Sequence, residues 1–212
     1  MVRQRHEAGC HGWLWRPNAD YATAAEERAA IQRATDAIEA ATGTRPRGYF
    51  CRGSPSPHTR AILRELGYAY DSNAFDDDLP YRCPETGMLV LLYVLDTNDM
   101  KFFHPNGFVQ PGQFSAYVAA ALDQLVAEGE RGGARTLSIG FHLRIRGRPA
   151  RFRAVEMIRD DLRRRGSDVW VATRRRSRRW RRTSLGLDAC TRVRRSPGLG
   201  CPGLGSNDGG GA

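Results

Sequence analysis

Short apolar runs alternate with amphipathic stretches along most of the chain, and that alternation leaves few folds open. Residues 88–95 form a continuous apolar run of strand length, the pattern of a strand covered on both faces. Residues 7–11, 47–51, 68–71, 136–141 and 168–172 read as further short strands. Helices lie between them. Residues 23–41 open with Thr23 and Glu26 in a capping-box spacing, carry Ile31, Ala34, Ile38 and Ala41 at helical intervals, and stop at Gly43. Ser56 and Pro57 read as an N-cap and first helical residue, followed by Ile62, Leu63 and Leu66 and ended by Gly67. Residues 113–127 place Phe114, Tyr117, Val118, Ala121, Leu122 and Leu125 on one face. Residues 149–165 do the same with Phe152, Val155, Ile158 and Leu162. Asp76, Asp77 and Asp78 read as an acidic turn. Strands and helices in this order predict an α/β fold with parallel strands, as an open sheet or a barrel.

The formal charge is +10 over 212 residues, and its placement argues against a nucleic-acid surface. Ten arginines and two aspartates lie from Trp170 onward, so the preceding residues sum to only +2. Lys101 is the one lysine beside 32 arginines, a bias more of codons than of surface chemistry. The run over residues 174–182 includes Trp180, which suits stacking on bases. It also reads as the solvated flank of a last helix, so nucleic-acid binding stands as the non-enzyme alternative. No apolar run approaches the length of about 18 residues that a membrane helix needs. The N-terminus shows no apolar signal core, and five cysteines form no Cys-x-x-Cys pair. A reduced, cytoplasmic setting without structural zinc is the expectation. Residues 183–212 hold eight Gly and two Pro without apolar periodicity, which predicts a disordered tail behind a domain over residues 1–182.

Polar groups follow the strand segments in turn: His11, Arg52, Asp71 and Ser72, the Asp96-Thr97-Asn98-Asp99 cluster, and His142. In parallel α/β folds, active sites gather at those strand ends. These residues also carry a resemblance. His6-Glu7-Ala8-Gly9-Cys10-His11-Gly12-Trp13-Leu14-Trp15 resembles the second motif of the NodB-homology (polysaccharide deacetylase) family, in the form found in metal-independent allantoinases. Tyr49-Phe50-Cys51-Arg52 with Ser56, Thr59 and Arg60 is similar to that group's arginine motif. Tyr70-Asp71-Ser72, Asp77-Asp78-Leu79-Pro80-Tyr81 and the stretch from Tyr93 to Phe102 follow in order. Ser138-Ile139-Gly140-Phe141-His142-Leu143-Arg144, then Gly147-Arg148-Pro149, resembles the last motif.

The resemblance implies a distorted (β/α) barrel that hydrolyses a non-peptide carbon–nitrogen bond, either in a cyclic ureide or in an N-acetylated sugar. It implies that His142 is the general acid for the leaving nitrogen, a task suited to imidazole near neutral pH. It makes His11, Trp15, Arg52, Asp96 and Asn98 substrate-binding residues, with Arg52 orienting the substrate or holding oxyanion charge. Ordinary members bind a metal through an Asp and a His-x-x-x-His pair. Here position i+4 from His11 is Trp15, whose indole has no lone pair to give, so neither metal nor other cofactor is expected. The family's first motif, with its general-base aspartate, precedes the second, yet no Asp precedes His11. The expectation is therefore a barrel lacking its first strand and impaired in catalysis. The subgroup implies a homo-oligomer.

Overall fold

The computed structural model describes residues 6–77, 79–132, 135–174 and 176. Its sheet is built from β1 (Gly48–Tyr49), β2 (Tyr70–Asp71), β3 (Tyr81–Arg82) and β4 (Leu89–Val90), in the spatial order β1-β2-β4-β3. The β1–β2 and β2–β4 pairs are parallel, as expected, and β3 joins β4 antiparallel. The described sheet is thus mixed and open. A parallel bridge adds Cys10 beside β1, with the Cys10 N–H donating to the Gly48 carbonyl at 2.9 Å and the Phe50 N–H to the Cys10 carbonyl at 3.0 Å. Gly48 is required there, because a Cβ on it would lie 2.0 Å from the Tyr70 ring.

Several strand expectations need correction. β3 comes from a segment to which the sequence assigned no element; the Cys83 N–H donates to the Met88 carbonyl and closes the hairpin. Residues 136–141 form one bridge, Gly140 to Asn98, rather than a strand. Side chains replace the ladder: Thr97 Oγ1 donates to the Ser138 carbonyl at 2.7 Å, and Ser138 Oγ to the Leu92 carbonyl at 3.0 Å. Residues 168–172 begin in a 3-10 turn (Gly166–Asp168) and show no ladder. The run 88–95 is buried from Met88 to Leu92 and then surfaces, leaving Leu95 exposed.

The helices hold closer to expectation. α1 (Ala24–Thr42) is capped by Thr23, whose hydroxyl accepts from the Glu26 N–H at 3.2 Å, and it ends at Gly43 with φ 68°. The Glu26 carboxylate returns to the Ala22 N–H. α2 (Thr59–Glu65) begins one turn after Ser56, because Pro57 and His58 form a turn in which Ser56 Oγ accepts from the His58 N–H. α3 (Pro111–Gly132) buries Phe114, Val118 and Leu122, with Tyr117 exposed. The one-turn α4 (Leu143–Arg146) was not foreseen. α5 (Pro149–Arg165) buries Ala154 and Ile158, whereas Phe152, expected inside, is 50% exposed.

Two cores result. One joins α1 and α2 to the sheet through Ile31, Tyr49, Leu63, Tyr68 and Val90. The other joins α3, α4 and α5 through Phe102, Phe114, Ile145 and Ile158. The proposed tail at 183–212 lies outside the described residues. Among those described, no helix is long and apolar enough to cross a membrane.

Candidate active site

The Cys10 bridge sets His11 at the edge of the sheet core. Its Nδ1–H donates to the Phe50 carbonyl, which fixes the tautomer and leaves Nε2 as the ring's lone-pair nitrogen. The ring stacks on Phe50 at 5.2 Å, and Trp15 meets it edge-on at 5.8 Å. Trp15 itself is 61% exposed. The Arg52 and Arg144 guanidinium carbons lie 5.1 and 5.6 Å from the centre of that indole. Arg144 belongs to α4, two residues after His142, so Trp15 is a point where the two halves of the molecule meet.

His142 stands at the start of α4 and is tied to Asp99, a fully buried residue on the 3-10 turn Asp99–Phe103. The His142 Nδ1–H donates to Asp99 Oδ1 at 2.6 Å, and its backbone N–H to Oδ2 at 2.8 Å. Arg146 Nε donates to the same Oδ2 at 3.2 Å. A carboxylate bonded to Nδ1 fixes ring orientation and tautomer. Nε2 is thereby the nitrogen presented outward. Arg146 is held below the usual arginine range, chiefly by burial, with Asp99 opposing the shift. Its guanidinium lies 4.3 Å from the centre of the Phe114 ring, which couples the dyad to the helical core.

An aromatic path connects the two histidines. Phe50 packs on Tyr93 at 4.6 Å, and Asn98 Nδ2 donates to the Tyr93 hydroxyl at 2.8 Å. Asn98 Oδ1 accepts from the Met100 N–H, so this amide caps the turn that carries Asp99. Asn98 is buried and serves as a brace in this structure. A Cβ on Gly140 would lie 2.5 Å from Asn98 Nδ2 and 2.6 Å from the Tyr93 hydroxyl, so the bridge requires glycine there. Asp96 faces away toward α3: its carboxylate accepts from the Thr97 N–H at 2.9 Å and the Tyr117 hydroxyl at 3.1 Å. The Tyr117 phenol is raised by that bond. Asp71, fully buried, is engaged by Arg60 at 3.0 Å and by Asn73.

Beneath Phe50 and Tyr93 lies an open cleft of about 180 Å³, lined by Gly9, Cys10, Gly48, Tyr70, Ser72 and Arg174. Arg174 was expected on a solvated face. Instead its guanidinium donates to Ser72 Oγ, Ser138 Oγ and the Leu91 and Leu92 carbonyls at 2.7–3.0 Å. Burial holds it below the usual arginine range. The rest of the basic run lies outside the described residues apart from Arg176, whose guanidinium carbon is 5.9 Å from the centre of the Trp170 ring.

Sequence reasoning singled out His11, Trp15, Arg52 and His142, and the structure sets His11 and Arg52 against the Trp15 indole. It missed Asp99 as the partner of His142, together with Arg146, Arg144 and Tyr93. The spacing of Asp99 after a strand-like run was visible, but Asp-Thr-Asn-Asp reads equally as a turn. The family's metal does not fit the described residues: His11 pairs with an indole at i+4, and among those residues no three His, Cys, Asp or Glu side chains are grouped to hold an ion.

Comparison with known proteins agrees with this geometry. Residues 1–70 match the polysaccharide deacetylase family. A putative polysaccharide deacetylase of Schizosaccharomyces pombe is 31% identical over 201 residues, covering 82% of this chain and 61% of its own length. A probable polysaccharide deacetylase from Pseudomonas aeruginosa PAO1 superposes with TM-score 0.78 at 39% identity, covering 86% of this chain and 62% of that one. The PuuE allantoinase gives TM-score 0.78 at 37% identity, covering 86% and 61%. The chain thus spans about three-fifths of the length of these relatives. The order of motifs, the α/β architecture and these matches agree in a likeness to the polysaccharide deacetylase (NodB-homology) family, whose model matches residues 1–70.

Proposed function

We propose that the protein hydrolyses a carbon–nitrogen bond in a small cyclic ureide, in the manner of an allantoinase, without a bound metal, on a scaffold of the distorted (β/α) barrel type. The observation that carries this reading is the pairing of His11 with Trp15 at 5.8 Å, where a metal site needs a second ligand. The likeness to the PuuE allantoinase supports the same substrate class. Water adds to the amide carbon and passes one proton to solvent, the C–N bond breaks, and protonated His142 gives its Nε2 proton to the departing nitrogen. Asp99 holds the ring for that transfer. His11, Trp15 and Arg52 border the substrate, while Asn98 and Asp96 act by bracing the turns behind His142.

A second reading, N-deacetylation of an acetylated sugar, is favoured by the names of the Schizosaccharomyces and Pseudomonas relatives. Assays of the purified protein on allantoin and on N-acetylglucosamine oligomers separate the two. The first reading predicts ring opening of allantoin and no acetate release from the oligomers. Acetate release without ring opening favours the second.

A further inference from the structure

We propose that Arg52 and Arg144 form a carboxylate-binding pair on the face of the site marked by Trp15, a role that deepens the hydrolase reading and rests on its placing of the site. Two guanidinium groups, from segments 92 positions apart in sequence, both lie within 6 Å of the centre of one exposed indole. Among the described residues neither makes an ion pair or a hydrogen bond. Other cations at this site are engaged elsewhere: Arg146 by Asp99 and the Arg151 carbonyl, Arg174 by two serines and two carbonyls. Like charges converging on one ring repel each other, and a planar anion between them relieves that repulsion through paired N–H donors. An indole also restricts the guanidinium planes by stacking, which aims their donors and lessens the ordering cost of binding.

The chemistry beside them calls for such a ligand. Hydrolysis of a cyclic amide turns its carbonyl carbon into a carboxylate while the nitrogen leaves protonated. Arg144 sits two residues from His142, the proton donor in that step, and Arg52 two residues from Phe50, on which His11 stacks. The ligand class is therefore a small molecule bearing a carboxylate, and in the ureide reading it is the ring-opened acid itself.

The test is a titration of the whole protein with sodium malonate, matched in ionic strength by sodium chloride, followed by calorimetry and tryptophan emission. Malonamide serves as the uncharged isostere. The pair predicts saturable malonate binding, at least tenfold weaker for malonamide and for Arg144→Ala and Arg52→Ala. Arg144→Lys should recover part of the loss, since it keeps the charge and loses the fork. Both arginines are exposed, and thermal midpoints unchanged by substitution will show that the variants remain folded. Malonamide binding as tightly as malonate, a chloride titration giving the same response, or Arg144→Ala binding like the wild type overturns the proposal. Because the readout is binding, malonate affinity in a protein that does not open allantoin refutes the hydrolase reading alone. Ring opening without charge-dependent binding refutes the arginine pair alone.

Discussion

Two buried carboxylates, one in each half of the molecule, are satisfied in different ways. In the sheet half, the buried carboxylate of Glu27 takes three neutral donors, from Asn18, Ser56 and Thr59. In the helical half, Asp99 takes a histidine and an arginine, and that arginine is stacked on Phe114. A neutral cage ties loops to helices and asks for nothing from solvent. An ionic cluster with one member a third exposed keeps a titratable ring at the surface with its back fixed. The first arrangement builds a scaffold, and the second suits the proton donor proposed at His142.

That contrast can be broken most severely at Asp99. Asp99→Ala removes the partner of a buried guanidinium and should destabilise by about 3–5 kcal/mol, read by urea denaturation. A loss below about 1 kcal/mol would mean that Arg146 and His142 do not depend on it. Next is the packing of α5. Ile158→Ala should cost about 2–5 kcal/mol, while Phe152→Ala, on the exposed face, should cost under about 1 kcal/mol. Comparable losses at both positions would put Phe152 and Ile158 on one buried face, as first read from the sequence.

The sheet half should show itself in alkali. Burial pushes the Cys51 thiol up to about 12 from 9.0. A folded-state pKa raised above the unfolded one gives stability that is complete below about pH 9 and lost as pH rises toward 12. Three pK units correspond to about 4 kcal/mol at most. Cys51→Ala should flatten the fall in stability between pH 9 and 12, measured by thermal midpoints. An unchanged slope would assign the alkaline limb to other groups, such as the buried phenols of Tyr49 and Tyr68, which burial also raises. The smallest effect is at the start of α1, where Thr23→Ala should cost about 1 kcal/mol through loss of its cap.

These regions also differ in how far the sequence announces them. α1 was legible to its caps, because Thr23, Glu26 and Gly43 act locally and need no tertiary partner. The parallel pairing of β1 with β2 followed from the intervening α2, whereas between β2 and β4 the described chain holds β3 and no helix. β3 escaped because a two-residue strand depends on its neighbour rather than on its own pattern. Residues 136–141 look like a strand and form one bridge, since apolar residues report a buried face and not a hydrogen-bond partner. His11 and His142 were legible as rare residues after strand-like runs. Asp99 was hidden in a turn motif, and Arg144, Arg146 and Arg174 were hidden by abundance. Among 32 arginines nothing local distinguishes a buried one from a solvated one.

Hydrolysis of allantoin after exhaustive chelation, measured side by side for the wild-type protein and His142→Ala, tests the central claim most directly. The account predicts that chelation leaves the wild-type rate unchanged and that His142→Ala lowers kcat by about 10²–10⁴ at unchanged thermal stability. Activity that chelation abolishes and zinc or another divalent ion restores, or a His142→Ala variant as fast as the wild type, would contradict it.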